Sequence, residues 1–264
     1  MSATDRRRLV GRVAEVWRYP VKSMQGEALG RAAVGPGGLD GDRRFAVVDP
    51  ETGRVASAKA PKKWGGLLGF RAALRDGVLV VTTPDGTEFR DDLGAVVARV
   101  LGRPAELRET PPPAAHIEID WPDVAGLPGA GTATVEGLAA GGFFDLAPLH
   151  LLTTATLRRL REHAPGTDFD VRRFRPNLVI DTAAGVDGFA EAAWAGRELA
   201  VGGVRLGVTA PCSRCVMTTL PQPGLPGDPR TLRAAVAHNG ASVGAYAAAR
   251  SAGEVEAGAP VWLL

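Results

Sequence analysis

The chain has 264 residues, a formal net charge of +2 and only two cysteines, Cys212 and Cys215. Apolar residues at 45% and charged ones at 23% give a globular composition, and the length suffices for one large or two small domains with a core that needs no covalent staples. Two cysteines exclude a disulfide framework, a Cys₄ zinc site and a cysteine-ligated iron–sulfur cluster, and the small net charge speaks against a nucleic-acid partner.

Glycine (34) and proline (20) are plentiful, which implies many turns and leans toward a strand-rich fold. Residues 9–19, rich in valine and aromatics and ended by Pro20, predict a strand. Residues 44–48 predict a short strand stopped at Asp49-Pro50. Strands over 67–74 and 78–83 are expected to pair about Asp76-Gly77, a two-residue hairpin signal, and Pro84-Asp85-Gly86 turns the chain again. Leu93, Val96, Val97, Val100 and Leu101 share one helical face, with Asp92 placed to cap its start and Gly102 its end. Residues 110–142, opened by three prolines, read as a long connection where two subregions meet.

Further on, residues 154–163 predict a helix beyond a threonine cap, and 177–181 a buried strand. Residues 199–208 alternate about Gly202-Gly203 as a hairpin. Asp228-Pro229 opens a helix that Asn239-Gly240 stops, and 260–264 form a last strand. The sum is an α+β chain built predominantly on antiparallel sheet, with a barrel as its natural closure. No stretch approaches the roughly 18 apolar residues of a membrane helix, and the basic start has no apolar segment behind it. A soluble, cytoplasmic protein with no membrane contact is expected, in keeping with two free thiols.

The strongest local signal is Pro211-Cys212-Ser213-Arg214-Cys215. A thioredoxin-type pair requires a helix at its first cysteine, whereas the residues that follow are strand-like. Half a zinc site requires histidine partners, and His116, His150, His163 and His238 are scattered. One reactive or metal-ligating thiolate favoured by Arg214, or two buried cysteines acting as small apolar residues, remain beside these.

Four further segments stand in order with that pair: Tyr19-Pro20-Val21-Lys22-Ser23, Asp42-Arg43-Arg44-Phe45, Phe174-Arg175-Pro176-Asn177 and the ending Gly258-Ala259-Pro260-Val261-Trp262. Together they resemble the MOSC-domain proteins with an N-terminal MOSC β-barrel region, of the amidoxime-reducing kind. The resemblance implies a barrel-like region over 9–110 and a MOSC β-barrel domain with peripheral helices over 120–264. It implies a molybdenum–molybdopterin cofactor with Cys215 as metal ligand and catalytic residue. Lys22, Arg44 and Arg175 match phosphate contacts. Ser23, Asp145, Asn177, Ser213, Arg214 and Tyr246 match other cofactor contacts. Arginine suits phosphate through paired hydrogen bonds, and a soft thiolate suits the metal.

The implied activity is reduction of small N-hydroxylated compounds (hydroxylamines, amidoximes, N-hydroxylated bases) to the N–H compound and water. Electrons would come from a separate ferredoxin- or cytochrome-like donor with its reductase. The alternatives are a carrier of molybdenum cofactor or sulfur without turnover, and a binding module for another phosphate-bearing ligand with structural cysteines. Two departures from the family pattern stand out. Ala147 replaces a hydroxyl residue two positions after Asp145, and Leu220-Pro221 replaces a Val-Asp pair.

Overall fold

The structure, a computed structural model, describes residues 7–111, 116–121, 131–136 and 142–264. The first strand, β1 (Arg8–Arg18), buries Val10, Val13 and Val16. A flat strand points residues three apart to opposite faces, so this spacing needs irregularity. Register shifts between Leu9 and Gly11, and between Val13 and Glu15, supply it.

After β1 come short strands: β2 (Glu27–Leu29), β3 (Arg31–Gly35), β4 (Gly38–Leu39) and β5 (Ala46–Val48). The one-turn helix α1 (Pro61–Trp64) and a 3₁₀ turn at Gly65–Gly69 lead into β6 (Arg71–Arg75), β7 (Val78–Thr82) and β8 (Glu88–Phe89). Asp76 (φ 51°) and Gly77 (φ 78°) make the predicted tight turn between β6 and β7. Helix α2 (Leu93–Leu101) follows, then β9 (Glu106–Arg108). Gly102 caps α2 as expected, but Asp92 is itself left-handed (φ 50°) and its side chain caps nothing. Leu93 and Val97 pack with Met24, Trp64, Phe70 and Val81 into a core for this region.

The expected long connection over 110–142 carries two strands, β10 (His116–Trp121) and β11 (Gly131–Glu136), paired antiparallel. The alternation His116-Ile117-Glu118-Ile119 is a strand pattern that the surrounding prolines and glycines obscured. Ile117 is buried beside Val48, Val55 and Phe143.

The second half supplies β12 (Leu149–Thr153), α3 (Thr154–His163), α4 (Val171–Phe174), β13 (Leu178–Thr182), β14 (Glu198–Val201) and β15 (Val204–Ser213). The predicted threonine cap is Thr153, whose hydroxyl accepts from the Thr156 amide at 3.1 Å. Then come α5 (Arg230–Asn239), β16 (Ser242–Ala249), β17 (Gly253–Glu256) and β18 (Pro260–Leu263). Seven strands close into a barrel in the order β13-β12-β16-β15-β14-β18-β1, with β1 returning to β13 and β2 attached at its side. Within the barrel, β12 and β13 run parallel, and the segment carrying α3 and α4 makes the crossover they require. Val10, Val13, Leu151, Ile180, Leu206 and Val261 are among the side chains that fill the barrel core, and α3, α4 and α5 pack into a separate cluster.

Candidate functional site

One cavity of about 280 Å³ gathers side chains from distant parts of the chain. Beyond β1, Val21 bridges to Phe45, and the Lys22 amide donates to the Phe45 carbonyl at 2.9 Å. Ser23 takes a left-handed backbone (φ 65°), and its hydroxyl accepts from the Ala58 amide at 3.0 Å. This tight turn buries Lys22, whose ammonium donates to the Phe143 carbonyl at 2.9 Å and to one oxygen of Asp145. Lys59 holds the other Asp145 oxygen at 2.9 Å. Burial works against the Asp145 carboxylate, but the two lysines outweigh it and hold its pKa well below the usual range. Burial lowers the Lys22 pKa despite Asp145. Lys59 feels the same burial, yet Asp145 and Cys215 keep its pKa raised.

Arg175 ends α4 in a left-handed conformation (φ 56°), the position where a helix terminates, and donates to the Met24 carbonyl. Its guanidinium lies 4.3 Å from the Tyr19 ring centroid and that of Arg43 lies 4.4 Å away, so one buried ring holds two like charges. Arg43 is further fixed by Asp42 at 2.5 Å. Burial and the neighbouring Arg43 push the Arg175 pKa down to about 10, still charged at neutral pH.

The strand β15 delivers Cys212 into the interior and leaves Cys215 half-buried at the start of a 3₁₀ turn, Val216–Thr219. Neither cysteine begins an α-helix, and no group of three metal-ligating His, Cys, Asp or Glu side chains exists among the described residues. Arg214 donates to the Cys212 sulfur at 2.8 Å and to the Phe174 carbonyl at 2.9 Å. Its Nε is buried without a hydrogen-bond partner among the described residues. Tyr246, on β16, stands opposite His150 with ring centroids 6.3 Å apart. Burial and Arg214 push the His150 pKa down to about 3, so the imidazole is neutral.

The cavity thus brings together Cys215, Lys22, Ser23, Asp145 and Arg175, as well as Asn177, Ser213, Arg214 and Tyr246. Asn177 is there as a frame: its amide donates to Trp17 and Asp42, and its oxygen accepts from the His150 amide. Arg44 does not join them. It points to a separate groove and pairs in solvent with Glu109 at 2.6 Å, and Arg43 occupies the cavity instead. Lys59, Arg43 and His150 are site residues that the sequence reading passed over. Among the described residues, five basic side chains and one carboxylate line the space, a surplus that suits an anionic ligand.

A family model described as the MOSC domain matches residues 141–262, and one described as the MOSC N-terminal beta barrel domain matches residues 10–106. Human mitochondrial amidoxime-reducing component 1 is 30% identical over 247 residues, covering 82% of this chain and 69% of that protein. Human mitochondrial amidoxime reducing component 2 is 26% identical, over 81% of this chain and 69% of its own length. The chain belongs to the MOSC-domain family with an N-terminal MOSC β-barrel region. The crystal structure of the YuaD protein from Bacillus subtilis shares the fold across 97% of this chain and 96% of that one, with a TM-score of 0.50 at 10% identity. No helix among the described residues is long and apolar enough to cross a membrane.

Proposed function

We propose that this chain is an oxidoreductase that holds a molybdenum–molybdopterin group in the cavity and reduces N-hydroxylated compounds. One observation carries the reading: the half-buried sulfur of Cys215 opens into the same space as Lys22, Arg43, Lys59, Arg175 and Arg214. The residues fit such a group. A thiolate is a suitable soft ligand for the metal, the cation surplus suits the phosphate, and the unpartnered Arg214 Nε is a buried donor in want of an acceptor. When bound, the group supplies two-electron exchange and accepts the substrate oxygen. Arg43, Arg175 and Lys22 bind and orient it through its anionic end. Cys212 anchors Arg214 beside the ligand. Lys22 and Lys59 hold Asp145 at the wall, and reduction of R–NH–OH to R–NH₂ and water consumes two protons and two electrons.

The electrons come from a separate ferredoxin- or cytochrome-like donor with its reductase, because the chain carries no nucleotide-binding fingerprint and no iron–sulfur spacing. The relatives named above are amidoxime-reducing components by name, which favours a part in turnover over a carrier role. Two free thiols support a cytoplasmic location. We assign residues 9–110 to the N-terminal barrel region and 120–264 to the MOSC domain.

The test is metal analysis and benzamidoxime reduction, driven by a chemical reductant, on protein made in a host that synthesises molybdopterin. Wild type is expected to hold close to one molybdenum per chain. Cys215→Ala should lose at least about 100-fold in activity and Cys212→Ala much less. Arg43→Ala should lower molybdenum retention, whereas Arg44→Ala should leave it unchanged. Equal activity in the two cysteine variants refutes the ligand assignment, and molybdenum without turnover of any N-hydroxylated compound supports the carrier.

A further inference from the structure

The cavity lining also carries apolar side chains. Ile117 and Ile119 reach it from β10, Phe144 and Leu146 from the segment before β12, and Met217 from the turn that Cys215 opens. Leu146 is 71% exposed, more than any other large apolar side chain among the described residues. A lone exposed leucine is ordinary. This one lines the cavity together with buried apolar neighbours, and its backbone is anchored next to Asp145, whose carboxylate two lysines grip. With its backbone anchored there, the side chain stays at the cavity wall, where a ligand would cover it.

We infer that these side chains form an apolar lip selecting the body of the substrate, with Leu146 as a specificity-determining residue that favours N-hydroxylated compounds bearing an apolar group over small polar ones. This rests on the reductase reading of the cavity. With a cofactor phosphate held by the basic groups, a substrate whose N–O bond faced Cys215 would meet the apolar lining at Phe144, Met217 and Ile119. Cover of Leu146 removes apolar surface from water on binding. That gain is made with the bound substrate and does not change at the N–O bond, so it acts on KM and leaves kcat nearly unchanged.

Leu146 is a solvent-facing position, so Leu146→Glu is tolerated by the fold, and Leu146→Met serves as the conservative control. With a chemical reductant, Leu146→Glu should raise KM for benzamidoxime about tenfold at nearly constant kcat. Its kcat/KM for hydroxylamine, which has no apolar body, should change less than twofold, and Leu146→Met should behave as wild type. Equal losses on both substrates, or no change on either, overturn the inference. Wild type that reduces hydroxylamine but not benzamidoxime overturns it too, while leaving the reductase reading intact.

A second readout is independent of turnover. The dye 8-anilinonaphthalene-1-sulfonate joins a sulfonate, suited to the basic side, to an apolar body suited to the lip. The cofactor-free protein should bind it with fluorescence enhancement, about fivefold more weakly in Leu146→Glu. Unchanged binding overturns the lip. If wild type reduces neither substrate, the reductase reading falls, and the dye still decides whether the lip exists.

Discussion

Asp145 shows how one side chain organises the site. Both of its oxygens are taken by lysines, so removing its charge leaves two neighbouring buried lysine side chains without their shared counter-charge. Asp145→Asn should cost about 1–3 kcal/mol at pH 7, toward the low end because 34% of the side chain meets water. The pH dependence has a definite sign. The folded carboxyl pKa is depressed, so its stabilisation is present above the unfolded value near 4 and is lost as the pH falls below it. Urea unfolding of wild type and variant should therefore show a gap that narrows between pH 5 and pH 3. A constant gap would mean that the charge contributes nothing.

At this scale the sequence was readable where chemistry is tied to residue type and unreadable where backbone geometry decides. Cys215, Lys22 and Arg175 sit in marked segments. Arg43 and Arg44 are adjacent and chemically identical. The left-handed turn at Arg43 (φ 48°) sends the first to the cavity and the second to Glu109. Lys59 carried a signal that went unused: the chain has lysine at only four positions, and two of these lysines end on Asp145.

Among the elements, β12 and β16 pack with unusual intimacy. A Cβ at Gly244 would stand 2.1 Å from His150 Nε2 and 2.5 Å from the Leu151 carbonyl, and the backbone there has φ +86°. Gly244→Ala should destabilise by about 3 kcal/mol and disturb the His150–Tyr246 wall of the cavity. Thermal unfolding checks the first effect, and an unshifted midpoint would contradict the contact. Elements set by local chemistry were legible: the Asp76-Gly77 and Gly202-Gly203 hairpins, and α3 behind Thr153. The β10–β11 hairpin was not, because its alternation is short and enclosed by turn-forming residues. Neither was the bulged strand β1, whose spacing of three matches no regular strand.

Across the whole molecule, the barrel that closes around the second half depends on the first half. Gly11, Val13 and Val16 pair with β13, and Leu9 and Gly11 with β18. Expressed alone, residues 120–264 would leave both those strands with open edges and the barrel core exposed on one side. Such a fragment should elute as aggregates on size exclusion, and a monodisperse, cooperatively folding fragment would show that β1 is dispensable. Gln25 and Gln222, joined at 2.9 Å, are a second tie between the halves.

The partnership of β1 with β18 also has a temporal side. The ribosome makes Arg8 early and Leu263 late, and these two residues face each other in the finished sheet. At typical rates of synthesis the roughly 240 residues between the two strands take about 12–50 s to emerge. For that interval β1 waits without its neighbour, which makes the nascent chain, more than the finished protein, the form in which misassembly threatens.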